Sequence, residues 1–319
     1  PLLQNLSDQQ KQILADAGND TNKMISQSAF EDSFSENKIL YEKAQNNGVE
    51  IFEYSTDENA TLFSVTFTNV GANNGDYTFD RSVAVGNIFV YAGVNQGDYS
   101  PIIRLIAPIK TQFAIVNSTY NPSEKTALNI ELAVSNNDKN LFSSIDDNEN
   151  TGFATLLGWQ QILVDKKWQL KSDVNFEFKQ NNFATIQRFV PIEFNRDWNL
   201  INEIGDKSLL QTAFQLQNKE KGFLKYSFNN LNYSNNYNGF KHILKSNLKF
   251  NKNSFLVDGS FLNSNSSAEK TTFFRLQSKA ERSFSKGWGG ILFGAEINDR
   301  KNKNTNQFVT QSHRFQEYE

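Results

Sequence analysis

The chain has 319 residues, including 28 Phe, 10 Tyr and 4 Trp, and its 32 Lys and Arg against 35 Asp and Glu give a formal charge of -3. A balance this close to neutral gives no reason to expect a nucleic-acid partner, which would want a basic face. Cysteine is absent and the two histidines, His242 and His313, lie far apart. That excludes disulfides, thiolate metal sites and cysteine nucleophiles, and argues against a histidine-rich metal site or a Ser-His-Asp relay. No apolar run reaches the ~18 residues of a transmembrane helix, but a transmembrane β-barrel alternates along its strands and keeps its average hydropathy low.

Residues 1–50 read as helix and loop. Ser7-Asp8-Gln9-Gln10 fits a capping box, Ile13, Leu14 and Ala17 form a short apolar stripe, and Gly18 is suited to end the helix. A helix this short must dock on something. The polar stretch 19–36 reads as loop. Residues 51–125 read as a small β-rich domain, lumenal or periplasmic, in which Asn74-Gly75-Asp76-Tyr77 recurs as Gln96-Gly97-Asp98-Tyr99.

Residues 126–319 read as an antiparallel β-barrel wall. Leu128, Ile130, Leu132 and Val134 alternate with polar neighbours, and the same design returns through the rest of the chain. About nine strands are expected between residues 150 and 300, Phe189 to Phe194 being the least regular. Ten residues at about 3.3 Å each, tilted by about 45°, cross a hydrocarbon layer of roughly 25 Å. Alternation alone does not separate a membrane barrel from a sandwich in water. Strand length, charge through the middle of one face and the alternation of short turns with long polar loops favour the barrel, partial or complete. Trp168, Leu170, Val174, Phe176, Phe178, Leu216, Phe274, Leu276 and Phe293 are then expected to face lipid.

Chemistry is hard to find. Asp138, Asp146, Asp147 and Glu149 are weak candidates for a hard-cation site, and a solvated loop is the preferred reading. Gly287-Trp288-Gly289-Gly290 lacks the Lys-Ser/Thr of a phosphate loop. Arg196-Asp197, inside Phe194-Asn195-Arg196-Asp197-Trp198, is either a lumenal ion pair or a turn flanked by interface aromatics, with the turn preferred. His242 shares a face with Leu244 and Leu248, which argues against catalysis. No cofactor is expected.

Several segments resemble a group of large outer-membrane β-barrel proteins of the Bacteroidota. They are Leu6-Ser7-Asp8-Gln9 with Ile13 to Gly18, Asn74-Gly75-Asp76-Tyr77, Leu105-Ile106-Ala107-Pro108, Ser135 to Ser143 and Val190 to Trp198. The resemblance implies a longer, signal-bearing precursor with periplasmic or surface β-domains before a barrel, and supplies no activity. A start at Pro1 without a leader and a final Glu319 in place of a terminal aromatic read the same way. The expectation is a non-enzymatic protein of the cell outer membrane, a structural or transport component of a secretion or surface-export assembly. Its partners would be outer-membrane lipid and other envelope subunits. The alternative is a soluble β-rich surface module that binds glycans.

Overall fold

The computed structural model describes residues 6–186 and 190–319. The chain is all-β with antiparallel sheets. It divides into a smaller unit, residues up to Lys110 with Asp138–Asn148, and a larger one, Thr111–Asn137 with Glu149–Glu319.

The smaller unit starts with α1 (Asp8–Ala17). Its capping box forms as expected: the Gln10 amide donates to Ser7 Oγ, and the Ser7 amide donates to Gln10 Oε1. Gly18, at φ +61°, ends the helix. The last turn leaves carbonyls without intrahelical partners. Asn140 Nδ2 donates to the carbonyls of Leu14 and Gly18 at 2.7 and 2.6 Å, and Ser143 Oγ donates to Ala15 O at 2.7 Å. Asp146 accepts the Asn19 amide at 2.9 Å. The acidic loop is therefore the C-terminal cap of a helix more than 120 residues away. Leu14, Ala17, Met24, Leu105 and Ala107 close the core beneath it.

Ten short strands follow: β1 (Ile25–Gln27), β2 (Ala29–Glu31), β3 (Tyr41–Asn46), β4 (Val49–Tyr54), β5 (Leu62–Val65), β6 (Thr68–Asn69), β7 (Tyr77–Val83), β8 (Gly86–Tyr91), β9 (Tyr99–Ser100) and β10 (Ile102–Arg104). The stretch expected to be loop thus holds β1 and β2, which are too short to show a period. Two four-stranded sheets have one strand order, β2-β5-β3-β4 and β6-β9-β7-β8. Their registers match as well. Tyr41↔Tyr54, Lys43↔Phe52 and Ala44↔Ile51 in one correspond to Tyr77↔Tyr91, Phe79↔Phe89 and Arg81↔Ile88 in the other. The single skip, at Asp80, is a β-bulge. Glu50-Ile51-Phe52-Glu53-Tyr54 and Asn87-Ile88-Phe89-Val90-Tyr91 occupy equivalent places, so the unit contains two copies of one motif.

The copies clasp each other. Phe52 N, on edge strand β4, donates to Tyr77 OH at 2.7 Å, and Phe89 N, on edge strand β8, donates to Tyr41 OH at 3.0 Å. Burial raises both tyrosine hydroxyls above their ordinary value. The recurring Gly-Asp-Tyr segments also meet. Gly75 and Gly97 exchange amide-to-carbonyl bonds at 2.9 and 2.8 Å. A Cβ on either would fall 2.3 or 2.2 Å from the carbonyl oxygen of Tyr99 or Tyr77.

The larger unit is one eleven-stranded antiparallel meander. It runs β11 (Lys110–Ser123), β12 (Thr126–Asp138), β13 (Thr151–Asp165), β14 (Gln169–Lys179), β15 (Lys207–Asn218), β16 (Gly222–Tyr233), β17 (Tyr237–Phe250), β18 (Asn253–Asn265), β19 (Glu269–Phe284), β20 (Gly287–Asn302) and β21 (His313–Tyr318). β11 and β21 are its two edges, and the sheet is not closed. Eight strands lie between residues 151 and 302. The irregular candidate at 189–194 is not among them: Phe189 lies outside the described residues, and Phe194 opens a single helical turn, α2 (Phe194–Asp197).

The register sorts the side chains into two faces. Ile130, Leu157, Phe176, Leu210 and Phe228, Leu244, Phe261, Phe274 and Ile297 belong to one face. Glu131, Asn175, Glu177, Lys207, Lys241, Arg275, Glu296 and Arg300 belong to the other. Burial runs opposite to that of a sheet in water. On the apolar face Phe214 is 50 % exposed, Phe240 45 %, Phe255 44 % and Ile291 71 %. On the polar face Lys207 is 4 % exposed, Lys241 7 % and Asn298 4 %.

Candidate functional site: the inward segment and the polar face

The long connection between β14 and β15 causes this inversion by folding back over the polar face. It is fastened at its base, where the Asn181 amide donates to Asp206 Oδ1 and the Asp206 amide to Ser234 Oγ, both at 2.9 Å. Its first turn crosses β12 and β13. The Ala184 amide donates to Ser135 Oγ at 2.9 Å, and Phe183 packs edge-on against Phe113 of β11, with ring centroids 6.4 Å apart. Gly152 allows that crossing: a Cβ there would come within 2.3 Å of the Phe183 backbone. Without a side chain the two main chains can pass.

The second part of the segment reaches the far strands. Phe194 and Trp198 join Leu209, Leu231, Tyr237, Leu262 and Phe273, one residue from each of β15 to β19, in a single buried cluster. Tyr237 OH donates to the Trp198 carbonyl. Lys207 Nζ lies 5.0 Å from the Phe194 ring and Lys241 Nζ 5.5 Å from the Trp198 ring, in cation–π contacts. Only Asn195 separates Phe194, over β15, from Arg196, whose Nη2 reaches Glu296 of β20 at 2.8 Å. On a flat sheet five strand spacings of about 4.8 Å would part those anchors by roughly 24 Å. The sheet therefore curls around the segment, with the polar face inside.

The charges are locked together. Arg275 Nη1 donates to Asp197 Oδ1 at 2.6 Å, and Lys241 Nζ lies 3.5 Å from Asp197 Oδ2. Glu296 Oε1 takes both Arg196 Nη2 and His313 Nε2, the latter at 2.7 Å, and Arg275 Nε lies 3.5 Å from its Oε2. The Glu296 carboxylate holds the Arg196 guanidinium above even its ordinary high value. Asn199, at φ +51°, donates to Thr271 Oγ1 at 3.0 Å and to Asn298 Oδ1 at 2.9 Å. Below this latch lies a groove of about 430 Å³ lined by Asp197, Lys241, Lys245, Asp258, Arg275 and Glu296.

Arg196-Asp197 lies in a single helical turn flanked by aromatics, as preferred, but Phe194 and Trp198 are buried, and the two charges pair with the sheet and not with each other: Arg196 with Glu296, and Asp197 with Lys241 and Arg275. Lys241, Arg275, Glu296 and Asn298 gave no sign in the sequence beyond sitting at polar positions of alternating strands. Of the expected lipid-facing residues, Leu170, Val174, Phe176, Phe178, Leu216, Phe274, Leu276 and Phe293 fall at apolar-face positions, and Trp168 lies in the bend just before β14, outside the register. His242 sits there too, its Nδ1 2.8 Å from Tyr226 OH. Of the metal candidates, Asp138 accepts the Asn140 amide at 3.0 Å, Asp146 accepts the Asn19 amide just beyond α1, and Asp147 and Glu149 lie in a 3-10 turn. Among the described residues no group of three or more His, Asp or Glu is gathered for an ion. The arrangement can hold a segment across a hollow polar wall.

No family model matches the chain, and neither a curated protein nor a solved structure is similar to it.

Proposed function

We propose that β11 to β21 form part of the wall of a transmembrane β-barrel in a bacterial outer membrane, of the kind the sequence resembles. The apolar face meets lipid, the polar face lines the lumen, and the segment between β14 and β15 narrows it. The protein acts without catalysis, as a structural or transport component of an envelope assembly. The inverted burial carries this reading. A monomer in water rarely leaves more than ~600 Å² of apolar surface contiguous, yet here every strand from β12 to β20 except β14, whose apolar side chains are half-buried, contributes exposed aliphatic or aromatic side chains to one face.

The edges support the same reading. Thr111 to Ser123 of β11 carries no charge. A long uncharged edge, interrupted only by Pro122 near its end, invites a further strand, and in lipid every backbone group has to be paired. Eleven antiparallel strands leave β11 and β21 running in the same direction. Antiparallel closure then requires an odd number of additional strands, from elsewhere in the same polypeptide or from a partner subunit.

The test is solubility with and without detergent. The membrane reading expects the chain to be monodisperse in micelles and to aggregate when detergent is removed. A monodisperse chain without detergent overturns it and favours the soluble surface module.

A further inference from the structure

The ends of the sheet differ in charge. Five hairpin turns lie at one end, and each carries lysine: Lys125 between β11 and β12, Lys166 and Lys167 between β13 and β14, Lys219 and Lys221 between β15 and β16, Lys252 between β17 and β18, and Lys286 between β19 and β20. Lys221 is half-buried, its ammonium over the Phe250 ring; the other six side chains are exposed, and among the described residues none of these lysines has an ion-pair partner. On the polar face Lys207, Lys241, Lys245 and Lys279 are each matched to a carboxylate and, among the described residues, Lys171, Lys179 and Lys225 are not. At the opposite end, Ser234-Asn235-Asn236 and Ser266-Ser267-Ala268 carry no charge, and the connections 139–150, 180–206 and 303–312 together are net acidic in sequence. An ammonium group repeated at every turn of one end, and left unmatched there, is not needed to hold the sheet together.

Its position indicates the partner. The lysines continue directly from the apolar face. Lys252 and Lys286 lie two residues beyond the exposed rings of Phe250 and Phe284, and Lys167 adjoins Trp168. An apolar belt, then aromatic rings, then flexible cations is the order of a bilayer from acyl chain through interface to headgroup.

We propose that this lysine end binds the phosphates of anionic lipid headgroups, so that the protein prefers, and is oriented by, a negatively charged leaflet. This rests on the membrane reading above. Each lysine held at such a surface adds an attraction that salt screens. Glu124, Asp165 and Glu220 share these turns, so the net attraction is smaller than the six exposed cations alone would give.

The test compares three forms of the 319-residue chain: wild type, a variant carrying K125Q, K166Q, K167Q, K219Q, K252Q and K286Q, and a control with six Lys→Gln changes at Lys11, Lys23, Lys38, Lys43, Lys110 and Lys139. Each is mixed with vesicles of phosphatidylcholine alone or of phosphatidylcholine with phosphatidylglycerol. Binding is read by flotation, and insertion by quenching of tryptophan fluorescence with brominated acyl chains. Wild type and control should bind the anionic vesicles about tenfold more tightly at low salt, and the turn variant should lose that preference. Quenching without any dependence on phosphatidylglycerol, or an equal loss in the control, overturns the lysine proposal and leaves the barrel reading standing. Absence of quenching on both vesicles overturns the barrel reading and this proposal with it.

Discussion

The two units solve the burial problem in opposite directions. The smaller one hides Leu14, Met24, Ile51, Leu62 and Ile88 and covers its edges with hydroxyl groups, as a domain in water does. The larger one hides Lys207, Lys241 and Asn298 and displays Phe214, Phe240 and Leu244. One polypeptide with nearly balanced charge does both because composition does not set which side of a strand is covered. In the larger unit the cover is the inward segment, which meets the sheet with polar groups at Arg196, Asp197 and Asn199 and with aromatic rings at Phe183, Phe194 and Trp198. The comparison shows that a sheet's inside is defined by what the connections do.

The sharpest way to break the contrast is to remove the anchor of that cover. Trp198→Ala should destabilise the larger unit by about 3–5 kcal/mol, the usual cost of truncating a buried large aromatic, seen as a lower urea midpoint in micelles. The smaller unit should be unaffected. Asp197→Ala strands the buried Lys241 ammonium and should cost about 3 kcal/mol. Asp197→Asn should recover part of that loss, because the amide oxygen still accepts a hydrogen bond.

A charge placed on either face tests which side meets lipid. Val174→Arg should cost about 2–4 kcal/mol in a bilayer, and Asn175→Arg, one residue away on the polar face, much less. Equal effects in vesicle-based unfolding would remove the distinction between the faces. In the smaller unit, Asn140→Ala strips two carbonyls of α1 of their donor and should cost about 1–3 kcal/mol. Helical circular dichroism and the thermal midpoint of that unit would report it.

The smallest effect concerns pH. Burial raises Tyr41 and Tyr77, so the folded state holds these protons more tightly than the unfolded chain does. Their contribution is fully present below the ordinary tyrosine value near 10 and is lost as pH climbs through the raised folded value. The double change Tyr41→Phe with Tyr77→Phe should lower stability at neutral pH by about 1 kcal/mol per lost hydroxyl. It should also flatten the alkaline fall, as followed by unfolding curves above pH 10.

What could be read beforehand was local. The α1 capping box lies within four residues, and alternation along β12 and β14 to β20 shows in any short window. The face of Phe176 or Leu276 follows from parity alone. Contacts between distant positions left no such trace. Asn140 meets Leu14 across 126 residues and Asn199 meets Asn298 across 99, and neither end predicts the other. β1 and β2 were missed because three residues have no period. The repeated motif was missed because the Asp80 bulge shifts one copy by a position, so that only Tyr, Ile and Phe at matching places survive comparison.

The tyrosine clasp has one more consequence. Each copy of the repeated motif spends its bare outer margin on its sibling, hydroxyl for amide in both directions, so the pair is saturated with respect to itself. A third copy would find that handshake already taken, and would have to attach by some other surface.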